Sequence, residues 1–148
     1  MTTIPELENQ IAELQKQLEE LKANEWPKEG CAYIYLDGLG ISGSCWEGDI
    51  VDATRKKRGN VYRTKEEAEW YDKRRIVEAR CREIAGGYRF VEGADNYYIQ
   101  NGGRFWGAFN CRYANLYPRS GYFPTAELAE KALKEIGDDF KYLEEYVG

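Results

Sequence analysis

Histidine is absent from all 148 residues. That removes the Ser-His-Asp and Cys-His nucleophilic sites, His-ligated metals, and the one side chain that ordinarily titrates near neutrality. A basic excess is missing too. The formal net charge is −5 and the isoelectric point about 5.0, whereas binders of duplex DNA or anionic membranes carry a positive balance. No run approaches the roughly 18 apolar residues of a membrane-spanning helix. The polar N-terminus lacks the apolar core of a leader peptide, so a cytoplasmic protein is expected. Cys31, Cys45, Cys81 and Cys111 show no C-x-x-C spacing, which excludes the common zinc and redox motifs and leaves four free thiols as the expectation.

What is present is a soluble, globular composition: 43% hydrophobic, 32% charged and 14% aromatic, with Tyr 12 and Trp 4, and a mean hydropathy of −0.72. A chain of this length makes one domain with an appendage.

The appendage is the most regular part. Ile4, Leu7, Ile11, Leu14, Leu18 and Leu21 alternate spacings of three and four. That is a heptad stripe with Ile4, Ile11 and Leu18 at a and Leu7, Leu14 and Leu21 at d. Thr3 and Glu6 have the spacing of a capping box, and Pro5 sits in the first turn, where a missing N–H costs nothing. Residues 1–25 are therefore expected to be an oligomerising helix; packing on its own domain is the alternative. Ile at a with Leu at d favours a parallel dimer.

Residues 26–148 read as an α+β domain, a small antiparallel sheet with helices on one side. Trp26-Pro27 ends the first helix. Strands are expected over 32–37 and 41–46, then a basic loop over 55–60. Thr64 caps a helix running to Ala85, which stops at Gly86-Gly87. Residues 88–117 hold two or three strands around Asn101-Gly102-Gly103. Tyr122-Phe123-Pro124-Thr125-Ala126-Glu127 then repeats Val61-Tyr62-Arg63-Thr64-Lys65-Glu66 at a distance of 61 residues, giving a second capped helix. A short last helix carries Phe140, Leu143 and Val147.

Few motifs carry chemistry. Gly38-Leu39-Gly40-Ile41-Ser42-Gly43 fits G-x-G-x-x-G, but no helix follows to point its amides at a pyrophosphate, so it reads as a hairpin turn. The carboxylate pairs Glu66-Glu67, Asp138-Asp139 and Glu144-Glu145 sit at helix ends, as macrodipole placement explains. The distinctive segment is 104–119, where aromatic, arginine and asparagine residues alternate on strand-like sequence. Aromatic faces stack on bases, and guanidinium groups clamp phosphates. Arg104, Trp106 and Ala108 fall on one strand face, Phe105, Gly107 and Phe109 on the other. An aromatic-rich sheet with solvated arginines, a nucleotide pocket and a protein-binding face all remain open.

The heptad helix, the segment Gly59-Asn60-Val61-Tyr62-Arg63-Thr64-Lys65-Glu66-Glu67-Ala68-Glu69 and the segment Tyr122-Phe123-Pro124-Thr125-Ala126-Glu127-Leu128-Ala129-Glu130 resemble small phage and prophage proteins. Among these the sequence is most similar to the first-type Thoeris anti-defence sponges, over nearly the whole chain. The resemblance implies a homo-oligomeric binding protein, not an enzyme. It would sequester cyclic ADP-ribose-type signals in the infected bacterial cell, with cyclic trinucleotides as a further ligand. It implies interface pockets that use an aromatic, arginines and an asparagine, and it places Arg80, Phe105 and Asn115 in those roles. Arg104, Trp106 and Arg119, from the aromatic segment, complete the expected site. No metal or cofactor is implied.

Overall fold

A computed structural model describes residues 2–148; Met1, the first residue of the expected oligomerising segment, lies outside them. Helix α1 spans Ile4–Asn24. Its capping box is closed in both directions: Glu6 N donates to Thr3 Oγ1 at 3.3 Å, and Thr3 N to Glu6 Oε2 at 3.1 Å. All six residues of the heptad stripe are between 47% and 72% exposed, so within one chain the stripe is uncovered. The chain leaves α1 through Trp26-Pro27, where Pro27 is buried and the Arg63 guanidinium lies 5.1 Å from the Trp26 ring centroid.

The body is α+β, as the sequence suggests, with two separate two-stranded antiparallel sheets in place of one. Strands β1 (Ala32–Asp37) and β2 (Gly40–Cys45) form the first hairpin. Its turn at Gly38-Leu39 is the glycine-rich segment, confirming a hairpin there. Helix α2 (Ile50–Lys57) follows, then α3 (Lys65–Ala85). Strands β3 (Asn96–Asn101) and β4 (Trp106–Cys111) form the second hairpin, and α4 (Ala126–Ile136) leads into a 3₁₀ turn over Gly137–Leu143.

Two local expectations change. The basic run is helical: Asp49 caps α2 by accepting from Asp52 N, and Arg55, Lys56 and Lys57 sit in its last turn, where cations favour the helix C-terminus. Val147 does not join the last turn of structure, which buries only Phe140 and Leu143.

The 61-residue repeat extends further than its caps. Ile34 and Tyr62 exchange both backbone hydrogen bonds (2.9 and 2.8 Å), and Tyr97 and Phe123 do the same (3.1 and 2.7 Å). Each hairpin thereby gains a one-residue third strand just before the capped helix. Two residues along the first strand, Leu36 N donates to Asn60 Oδ1 at 2.7 Å, and Ile99 N to Ser120 Oγ at 3.0 Å. The chain thus contains two β-hairpin, bridge and helix units, differing in the connection before the bridge: α2 in the first, loop 112–121 in the second.

Thr64 and Thr125 accept from Glu67 N (3.1 Å) and Leu128 N (3.2 Å). Both are exposed helix caps, so Thr64→Ala and Thr125→Ala should each cost about 1 kcal/mol in denaturant unfolding. Ligand affinity should stay unchanged in both.

The main core joins α3, α4, β3 and the 3₁₀ turn through Val77, Cys81, Ile99, Phe123, Ile136 and Phe140. Arg74, which interrupts the apolar line of α3, is buried. Its Nε donates to Tyr142 O at 2.7 Å, its Nη2 donates to Glu144 O, and Trp70 Nε1 donates to Glu144 O at 3.0 Å. This arginine therefore fastens the C-terminal segment to α3; buried polar groups are tolerated when hydrogen-bonded in this way. Burial pushes the Cys81 thiol up to about 12. Alkylation followed by mass spectrometry at pH 8 should label exposed Cys45 in the native protein and Cys81 only after unfolding.

Candidate functional site

The aromatic segment forms the tip and outer strand of the second hairpin. Gly102 and Gly103 open the turn, and Gly103 at φ +110° uses the conformational freedom of glycine. Strand β4 starts at Trp106, so Arg104 and Phe105 belong to the turn and project from the body. Phe105 is 80% exposed. Trp106 and Ala108 face the core, and the Trp106 ring stacks on Phe140 with centroids 5.8 Å apart. On the other face Phe109 stacks on Tyr98 at 5.9 Å.

Two clefts flank Trp106. The larger, about 550 Å³, is lined by Arg104, Phe105, Trp106, Leu133, Gly137, Asp138 and Lys141. Lys141 Nζ lies 5.2 Å from the Tyr142 ring. Among the described residues, neither Arg104 nor Lys141 forms an ion pair. The smaller cleft, about 300 Å³, shares Trp106 and includes Arg119, Gln100 and Asn101. Arg119 is held by Glu145, Nη2 to Oε1 at 2.5 Å. This arrangement offers ring faces for stacking and two free cations for an anion, the elements of base-and-phosphate binding.

Of the six site residues expected from the sequence, Arg104, Phe105 and Trp106 share the larger cleft, and Trp106 and Arg119 share the smaller. Asn115 is in the loop before the bridge. Its Oδ1 accepts from Tyr122 Oη and from Tyr117 N, both at 3.0 Å, so its carbonyl braces that loop. Arg80 lies elsewhere, against α4: Nη2 donates to Glu135 O at 3.3 Å, beside Glu83, Ile84 and Lys131. Within one chain Arg80 and Phe105 line different clefts. Two contributors escaped the sequence reading, Lys141 and Tyr117. Lys141 is distant in sequence and is brought in by the 3₁₀ turn. Tyr117 has φ +48°, an uncommon backbone for a residue with a side chain, and no sequence signal marks it.

The first unit carries its own polar cluster. Buried Asp52 accepts from Tyr33 Oη and from Glu47 N (2.7 Å) and Gly48 N (3.1 Å). The Tyr33 hydroxyl, then the Glu47 amide, hold its carboxyl below the usual carboxylate range. Arg55 donates to Tyr33 Oη at 2.8 Å and lies 3.6 Å above the Tyr35 ring, on the wall of a cleft of about 390 Å³ between β1 and α2. The donors and acceptors here satisfy one another, and the cluster locks α2 onto the hairpin.

Among the described residues, no His, Cys, Asp or Glu cluster suits a metal ion, and no helix is long and apolar enough to cross a membrane. No protein-family model, curated protein or solved structure matches the chain.

Proposed function

We propose that this protein is a non-catalytic sponge that binds and sequesters cyclic ADP-ribose-type signals, acting against bacterial defence during phage infection. The observation that carries the reading is the second hairpin tip. There an exposed Phe105, a core-anchored Trp106 and the unpaired cations Arg104 and Lys141 line one cleft of about 550 Å³. That volume falls within the range of sites for small molecules. The rings supply stacking, worth about 1–3 kcal/mol per base, and the cations supply charge-assisted bonds to pyrophosphate oxygens. The histidine-free sequence suits retention of the ligand intact. In this reading the exposed stripe of α1 assembles copies of the chain, and the protein acts in the cytoplasm of the infected cell. A cyclic trinucleotide is a further candidate ligand.

The uncovered α1 stripe equally favours a phage structural or interaction protein, or a protein inhibitor, assembled through its coiled coil. Incubation with lysate from cells producing the signal separates the two. A sponge should release intact nucleotide when the purified complex is heated. Altered nucleotide would indicate an enzyme, and no nucleotide would favour the interaction protein.

A further inference from the structure

We propose that the smaller cleft, on the Tyr117 side of Trp106, is a slot for a planar, base-sized heteroaromatic ring whose attached anionic group reaches Arg119. The inference deepens the sponge reading and rests on it for the ligand class: the cleft is a second position for the base of such a ligand, beside the larger cleft and sharing Trp106 with it.

Tyr117 is the starting observation. It is the only non-glycine residue with positive φ among the described residues, a conformation that surrounding contacts must maintain. The maintaining contacts are visible. Asn115 Oδ1 accepts from Tyr117 N, and the same oxygen accepts from Tyr122 Oη, which also accepts from Leu116 N at 2.8 Å. The loop is thus built to hold this backbone, yet its product is a tyrosine ring left 83% exposed. A ring serving the core would be buried. This one stands over a cleft that contains Ile99, Pro118 and Leu143 as apolar surface, Trp106 as a second aromatic, and Gln100 and Asn101 as amides. Two rings offer stacking, and the Gln100 amide offers a donor and an acceptor to the edge of a base, while the Asn101 amide accepts from Gly103 N and donates to Glu144.

Size and charge narrow the ligand. At about 300 Å³ the cleft sits at the lower end of small-molecule sites, which suits a single ring system with a short extension. Arg119 is paired with Glu145, but both side chains are half-exposed or more, and such pairs are weak. An incoming phosphate competes for the guanidinium. Glu144, whose Oε1 accepts from Asn101 Nδ2 at 2.6 Å, keeps the rim acidic. A bare anion is therefore disfavoured, and the ring has to supply the binding.

The test uses the full-length protein, calorimetry, and three probes: adenosine 5′-monophosphate, inorganic pyrophosphate and a cyclic ADP-ribose isomer. Tyr117→Gly removes the ring and replaces it with the residue best suited to φ +48°, so the melting temperature should hold. Affinity for adenosine 5′-monophosphate and for the cyclic nucleotide should fall about ten- to a hundredfold. Tyr117→Phe should bind as wild type does, and the response to pyrophosphate alone, which does not use the ring, should be the same in wild type and both variants. If the cyclic nucleotide binds Tyr117→Gly and wild type equally, the slot is refuted and the sponge reading stands. If the monophosphate binds with the expected loss and the cyclic nucleotide does not bind wild type, the slot stands and the cyclic-signal reading falls. Wild type that binds none of the probes overturns both.

Discussion

Replacing Leu14 and Leu18 by Asp should reduce the solution mass of this protein to that of a single chain, read by light scattering coupled to size exclusion. Both residues lie in the centre of α1, on a stripe in which all six apolar side chains are exposed in the isolated chain. Two charges on each helix, buried in a seam of about three heptads, would cost several kcal/mol. That exceeds what the remaining Ile4, Leu7, Ile11 and Leu21 can recover. The body should be indifferent, because its core is built from α3, α4, β3 and the 3₁₀ turn. A mass that does not change would reject the coiled-coil role. A fall in the stability of a variant that was monomeric from the start would show that the stripe packs on its own domain. In an assembly held by α1 the melting of that helix in wild type should also shift upward with protein concentration, whereas that of the variant should not.

How much was legible in the sequence depended on whether the determining interactions were local. The caps were readable, because a Thr side chain bonding an amide three residues ahead is a short-range event, as at Thr3, Thr64 and Thr125. The hairpin at Gly38-Leu39 was readable for the same reason. The repeat of Tyr62-x-Thr64 in Phe123-x-Thr125 pointed to two related units. The third-strand pairing of Ile34 with Tyr62 joins residues 28 apart, and no pattern marks it. Splitting into two sheets followed from that: each hairpin pairs with its own bridge residue, and neither hairpin pairs with the other. Helix α2 was hidden because its basic last turn reads as a solvated loop until Asp49 is recognised as a cap. At the site, alternation correctly set Trp106 and Ala108 on one face. It misplaced Arg104 and Phe105, which precede the strand and belong to the turn. Tyr117 was invisible because its importance lies in a backbone angle.

The separation of Arg80 from Phe105 leads to the second large effect. Phe105→Ala removes an exposed ring from the larger cleft, so its melting temperature should stay at the wild-type value while affinity for a cyclic ADP-ribose isomer falls roughly ten- to a hundredfold. Arg80→Ala should cause a similar loss, since a charge-assisted hydrogen bond is worth about 1.5–3 kcal/mol. In one chain these residues line different clefts. If both contact one ligand, the pocket has to be completed by a second copy, which the exposed α1 stripe is suited to bring in. Mixed assemblies test this directly. In a two-fold dimer with shared pockets, a protomer carrying Phe105→Ala and one carrying Arg80→Ala together form one intact pocket and one doubly altered pocket. Unfolding and refolding equal amounts of the two variants together should therefore restore tight binding at roughly a quarter of the sites, as counted by calorimetric stoichiometry. Neither variant alone should show any tight sites. Adding the Leu14→Asp and Leu18→Asp changes to both partners should abolish the recovery, because it depends on assembly. If tight binding does not return on mixing while Phe105→Ala alone is impaired, the pocket is confined to one chain and Arg80 lies outside it.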